Sequence, residues 1–219
     1  MIKDHFIFDM DGVIIDSEPA HKEVLEKVFG ELNLNFSDAY HQTLVGMAAV
    51  PMWEKIKADF TIETNARELM NFHKEIFFIE AENLKIEAVP EVVSLIKRLK
   101  EMNYHLSLAS SSSLKLIERF TEELAVKDYF DFLVSGESLE RSKPFPDIFL
   151  KVAENYKLDS SRFVVIEDSK NGVAAAKAAE MFCIGYQNPN SGNQNLSQAD
   201  VVIDDFSKLT PEVITKMTN

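Results

Sequence analysis

Two aspartates at alternate positions close the first apolar run of the chain, His5-Phe6-Ile7-Phe8-Asp9-Met10-Asp11-Gly12-Val13. Side chains alternate along an extended strand, so this spacing predicts that Asp9 and Asp11 leave on the same side. Two like charges held that close repel each other and resist desolvation unless something positive stands between them. A divalent cation suits that place, because hard cations prefer carboxylate oxygens. Later segments carry partners of the right types. Ser110 and Ser111 follow one apolar run, Lys143 stands in a polar loop, and Glu167-Asp168 closes another apolar run.

Together these residues suit phosphoryl transfer through an aspartyl phosphate, since a carboxylate can act as a nucleophile in this chemistry. A metal held by Asp9, Asp168 and Glu167, with a backbone carbonyl near Asp11, would screen the nucleophile from the anionic phosphate. Ser110, with Ser111 beside it and the backbone N–H groups of a following helix, would bind phosphoryl oxygens. Lys143 would balance charge on the transferring group. A second carboxyl beside the nucleophile can protonate the leaving oxygen and then deprotonate the attacking water.

Each residue also has a plainer reading. Glu167 and Asp168 could cap a helix beginning near Asn171. Ser110 to Ser113 could form a serine loop, and Lys143 could be a solvated surface lysine. Asp9 and Asp11 fit a solvated turn poorly, because Phe8 and Val13 bracket them with apolar surroundings.

The elements that would position these groups follow from periodicity. Apolar runs at 106–109, 132–134, 163–166, 182–184 and 201–203 read as strands, with helical patterns between them. Strands that are apolar without alternation and that alternate with helices argue for an α/β fold, a parallel sheet flanked by helices. In such sheets ligands gather at the carboxyl ends of the strands, where Asp9, Asp11, Ser110, Glu167 and Asp168 all fall. Between residues 17 and 86 no strand pattern occurs. Pro19 suits a first helical turn, Ser37 to Leu44 reads as a helix, Pro51 starts another, and Thr64 caps a fourth that runs to about Ala81. The expected division is 1–16 with 87–219 as the core and 17–86 as a helical insert.

Four stretches in order carry a family resemblance: Asp9-x-Asp11-Gly12-Val13 with Asp16-Ser17, the strand end at Ser110, Ser142-Lys143-Pro144-x-Pro146-Asp147, and Glu167-Asp168-Ser169. The chain resembles the haloacid dehalogenase superfamily, in particular its β-phosphoglucomutase-like branch. That resemblance implies a Rossmann-like core with an all-helical cap, and Mg²⁺ in a site drawn from Asp9, Asp11, Glu167 and Asp168. It implies Asp9 as nucleophile, Asp11 as general acid and base, and Ser110, Ser111 and Lys143 as phosphate ligands. Within the superfamily an aspartate at position 11 resembles phosphatases and phosphomutases rather than dehalogenases. His21 matches a cap-hinge histidine of the branch, and Lys74 falls near a substrate-facing cap lysine; a linker surface and a solvated helix face are their plainer readings. The mutases of the branch carry cap cations beside a glycine, whereas the matching run here, Leu44-Val45-Gly46-Met47-Ala48-Ala49-Val50, has none.

The totals narrow the partners. The formal net charge is −13 and the pI about 4.8. Such a field repels phosphate backbones and anionic membrane surfaces, but a metal and a local lysine can reverse its sign inside a pocket. A single cysteine, Cys183, lies in an apolar run and reads as packing rather than as a reactive thiol. No signal-peptide pattern opens the chain and no apolar run reaches membrane-spanning length, so a soluble, cytoplasmic protein is expected. The leading expectation is a Mg²⁺-dependent phosphatase acting on a small phosphorylated metabolite, such as a sugar phosphate. A β-phosphoglucomutase-type mutase comes second, and a phospho-accepting regulatory module third.

Overall fold

The computed structural model describes residues 2–45, 47, 49–81 and 87–219. The chain divides into two compact units, residues 1–16 with 87–219 and residues 17–86.

The larger unit is built on a six-stranded sheet. Its strands are β1 (His5–Phe8), β4 (His105–Ser110), β5 (Phe132–Ser135), β6 (Phe163–Glu167), β7 (Phe182–Tyr186) and β8 (Val201–Ile203). Their order is β5-β4-β1-β6-β7-β8, and every pairing is parallel. The chain steps from β1 outward on one side to β4 and β5, then returns to β6 on the other side. That reversal beside β1 is where an open α/β sheet forms its crevice. A two-residue ribbon, β2 (Ile15–Asp16) against β3 (Glu87–Ala88), is antiparallel.

Strands buried on both faces need apolar residues at every position. All residues of β1 and of β6 are buried. On one face Ile7, Val165, Phe163 and Cys183 pack with Phe149 and Val152 of α7 (Asp147–Tyr156) and with Val173 and Ala176 of α8 (Lys170–Ala178). On the other, Phe6 meets Tyr104 edge to face and Phe8 meets Phe130 in the same way. Burying one such ring is worth roughly 1.5–3 kcal/mol. Cys183 is fully buried and burial pushes its thiol up to about 12, so the packing reading holds. Completing the unit are α5 (Val92–Glu101), α6 (Leu114–Glu123) and α9 (Pro211–Thr218).

The second unit comprises α1 (Glu18–Glu31), α2 (Asp38–Gln42), α3 (Ala49–Phe60) and α4 (Ala66–Ala81). Phe29 of α1 packs edge to face on Phe36 and Phe60, and Trp53 of α3 is wholly buried. Two expected boundaries move. The first turn of a helix has no intrahelical partner for its N–H groups, so α3 begins at Ala49 and absorbs Pro51 there. The cap of α4 is Asn65 rather than Thr64: its side-chain oxygen accepts the Glu68 N–H at 2.9 Å. Gly46 and Ala48 of the cation-free 44–50 run lie outside the described residues.

Candidate active site

The site grows from the end of β1. The strand ends at Phe8, and Asp9 and Asp11 follow just beyond it. The Asp9 N–H still donates to the Ile166 carbonyl of β6 at 3.0 Å. Beyond it the chain turns tightly: the Met10 carbonyl accepts from the N–H groups of Ile14 and Ile15 at 2.8 and 3.0 Å. Gly12 sits in that turn at φ +78°, where an L side chain is strained, and a Cβ there would lie 2.0 Å from Asp168 Oδ2.

Asp9, Glu167 and Asp168 each bring a carboxylate oxygen within 4.8 Å of the others, and all three residues are buried. Lys143 joins them. Its Nζ stands 2.6 Å from Asp9 Oδ1 and 2.6 Å from Glu167 Oε1, and 5.2 Å from the centre of the Phe149 ring. Burial disfavours the Lys143 ammonium, but the two carboxylates outweigh that and hold its pKa above the usual lysine value. One ammonium does not neutralise three carboxyl groups. Burial, joined by repulsion from Glu167 and Asp11, pushes Asp9 well above the usual carboxylate range, against the pull of Lys143. Burial followed by Glu167 pushes Asp168 up to about 7. A buried set of hard oxygen donors with surplus negative charge is the kind of group a divalent cation fits.

Asp11 is not one of those three. Its Oδ2 accepts from Ser110 Oγ at 3.3 Å and from Ser112 Oγ at 3.0 Å. Ser110 is fully buried and also accepts the Ser112 N–H at 3.0 Å. Ser111, expected beside it as a phosphate ligand, is exposed, and Ser112 is the hydroxyl that turns inward. Nothing in the serine run distinguished Ser112 from its neighbours. Only the turn after β4 does.

The helix-cap alternative for Glu167 and Asp168 does not hold. Ser169 caps α8, its Oγ accepting the Gly172 N–H at 3.0 Å. Glu167 Oε2 in turn accepts the N–H and the hydroxyl of Ser169, each at 2.9 Å. Gly172 makes room for that carboxylate, since a Cβ there would fall 1.7 Å from Glu167 Oε1. Asp168 Oδ2 accepts from Ser191 Oγ, a partner the sequence did not single out. Asp204 and Asp205 lie after β8 and outside this group: Asp205 caps a short 3-10 segment and Asp204 pairs with Lys208. His21 and Lys74 belong to the helical unit, where the His21 ring stacks on Phe77 at 4.7 Å and Lys74 is exposed.

The profile of the haloacid dehalogenase-like hydrolases matches residues 6–186. The chain belongs to that family. Hexitol phosphatase B of Escherichia coli (strain K12) is 30% identical, over 93% of this chain and 93% of its own. The β-phosphoglucomutase of Bacillus subtilis (strain 168) is 30% identical, over 95% of this chain and 92% of its own. Among solved structures, the β-phosphoglucomutase of Clostridium difficile superposes with a TM-score of 0.77 at 25% identity, covering 100% of this chain and 98% of that one. The family member described here is an enzyme of the phosphoric monoester hydrolase type, from a family group whose named relatives include phosphatases and a phosphomutase. Among the described residues no helix is long and apolar enough to cross a membrane.

Proposed function

We propose that the protein is a Mg²⁺-dependent phosphatase that hydrolyses a small sugar phosphate through an aspartyl phosphate on Asp9. One observation carries this reading: Asp9 shares Lys143 with Glu167 in a buried acidic group, while Asp11 is held apart on two hydroxyls. Asp9, Glu167 and Asp168 would hold the Mg²⁺, which when bound offsets their surplus negative charge and that of the incoming phosphate.

In the first half-reaction an Asp9 carboxylate oxygen bonds to phosphorus as the bond from phosphorus to the sugar oxygen breaks. Asp11 gives its proton to that leaving oxygen. In the second half, Asp11 takes a proton from water as the water oxygen bonds to phosphorus. The acyl phosphate bond breaks, Asp9 is regenerated and inorganic phosphate leaves. Lys143, 2.6 Å from Asp9 Oδ1, favours the ionised form of Asp9 that attacks and draws charge from the transferring group. Ser110 and Ser112 fix the Asp11 carboxyl so that it meets first the leaving oxygen and then the water.

The relatives in B. subtilis and C. difficile favour a second reading, a mutase in which the sugar takes back the phosphoryl group in place of water. The absence of a cation in the 44–50 run supports hydrolysis over it. A panel of hexose and hexitol phosphates assayed for phosphate release separates the two. Hydrolysis predicts release that needs Mg²⁺ and stops with a chelator. Conversion of β-glucose 1-phosphate to glucose 6-phosphate after priming with a bisphosphate, with no phosphate released, would replace it by the mutase.

A further inference from the structure

The loop after β7 sends three polar side chains back to different parts of the larger unit. Asn188, itself buried, donates its amide to the Gly12 carbonyl at 2.8 Å. Asn190 donates to Asp16 Oδ2 at 2.6 Å, and Ser191 donates to Asp168 Oδ2. Internal bonds stiffen the loop. The Asn190 N–H donates to Asn188 Oδ1 at 2.8 Å, and the Gln194 amide donates to the Ser191 carbonyl at 3.1 Å. Gln194 Oε1 accepts the N–H of Lys170 at 3.0 Å, which ties the loop to the start of α8. Ser191 is therefore anchored from both sides: through Asn188 to the turn after β1, and through Gln194 to the helix that follows Asp168. A Cβ on Gly12 would meet both Asp168 Oδ2, at 2.0 Å, and Ser191 Oγ, at 3.0 Å, so the three residues close on one point.

We propose that Ser191 is a positioning residue for the cation site. Its hydrogen bond fixes the rotation of the Asp168 carboxylate, and Asn188 holds the loop that delivers it. The inference rests on the reading of Asp168 as a metal ligand. A carboxylate bonded at one oxygen presents the other in a single direction, and loss of such an outer partner typically weakens metal binding about 10–100-fold. In this role the hydroxyl would act on the metal only through Asp168, to which it is bonded.

Mn²⁺ binding, followed by the electron paramagnetic resonance of the free ion, tests this without any substrate. Ser191→Ala should raise the Mn²⁺ dissociation constant at least about tenfold. Ser191→Thr, which keeps the hydroxyl, should restore it. Asn190→Ala alters the same loop at a residue bonded to Asp16 and not to the cluster, and should leave the constant at its unsubstituted value. Thermal unfolding of each variant confirms that it is folded. A constant unchanged in Ser191→Ala, or raised equally in Asn190→Ala, overturns the positioning role while leaving the metal site standing. Failure of the unsubstituted protein to bind Mn²⁺ overturns the metal reading and this one with it.

Discussion

Asp9 and Asp11 are the same residue type two positions apart, and their surroundings make them different groups. Asp9 is buried against Lys143 beside two further carboxyl groups, a setting that suits a nucleophile and a cation ligand. Asp11 is half-buried and rests on the hydroxyls of Ser110 and Ser112, a setting that suits a proton carrier with access to substrate and water. Two carboxyl groups given different environments can take the two roles that acid–base and nucleophilic catalysis require. Asp11→Asn keeps the shape and cannot pass the proton. Its kcat for a sugar phosphate should fall about 10²–10⁴-fold. A loss under tenfold in steady-state phosphate release would remove Asp11 from that role.

At the scale of elements, the site is a set of strand ends, and that much is visible in the sequence. The unbroken apolar run Phe163-Val164-Val165-Ile166 marks a strand covered on both faces, and Glu167-Asp168 at its end is out of character with such a strand. The same contrast marks Phe8-Asp9. What stays hidden has three physical causes. Some decisions are local but nearly degenerate: Thr64 and Asn65 are both good caps, and one residue decides the start of α4. The ribbon of β2 and β3 is two residues long on each side, too short for any periodicity to announce it. Other contacts join distant parts of the chain, as when Asn188 reaches Gly12 across 176 positions, and no local pattern encodes that meeting. Gly172 belongs with the local decisions, since it stands only five positions after Glu167. In the sequence it is a glycine near the start of an alanine-rich helix, and in the fold it is the gap that admits the Glu167 carboxylate.

Across the whole molecule the dominant electrostatic fact is excess negative charge, −13 overall, with part of it buried in the site. On the proposed reading, an anionic substrate approaching this protein would need that field cancelled locally, by Lys143 and by a bound cation. Stability follows from the same imbalance. Without metal, folding raises the pKa of Asp168 from an ordinary 3.8 to about 7, through burial and the nearby Glu167. The folded state then holds the proton more tightly than the unfolded chain. This contribution is fully present below pH 3.8 and is lost as the pH rises through about 7. A cation competes with that proton and gains where the proton leaves. The rise in unfolding temperature on adding Mg²⁺ should therefore grow from pH 6 to pH 8. At a concentration near 100 times the dissociation constant, Mg²⁺ should stabilise the fold by about 2.7 kcal/mol. An Mg²⁺ effect independent of pH over that range would contradict the assignment of Asp168 to the cation. The central claim, that Asp9 takes the phosphoryl group, is tested most directly by phosphate release from p-nitrophenyl phosphate by Asp9→Asn with Mg²⁺ present. The expected result is a folded protein whose turnover is lowered about 10³-fold or more. Turnover within a few-fold of the unsubstituted enzyme would contradict it.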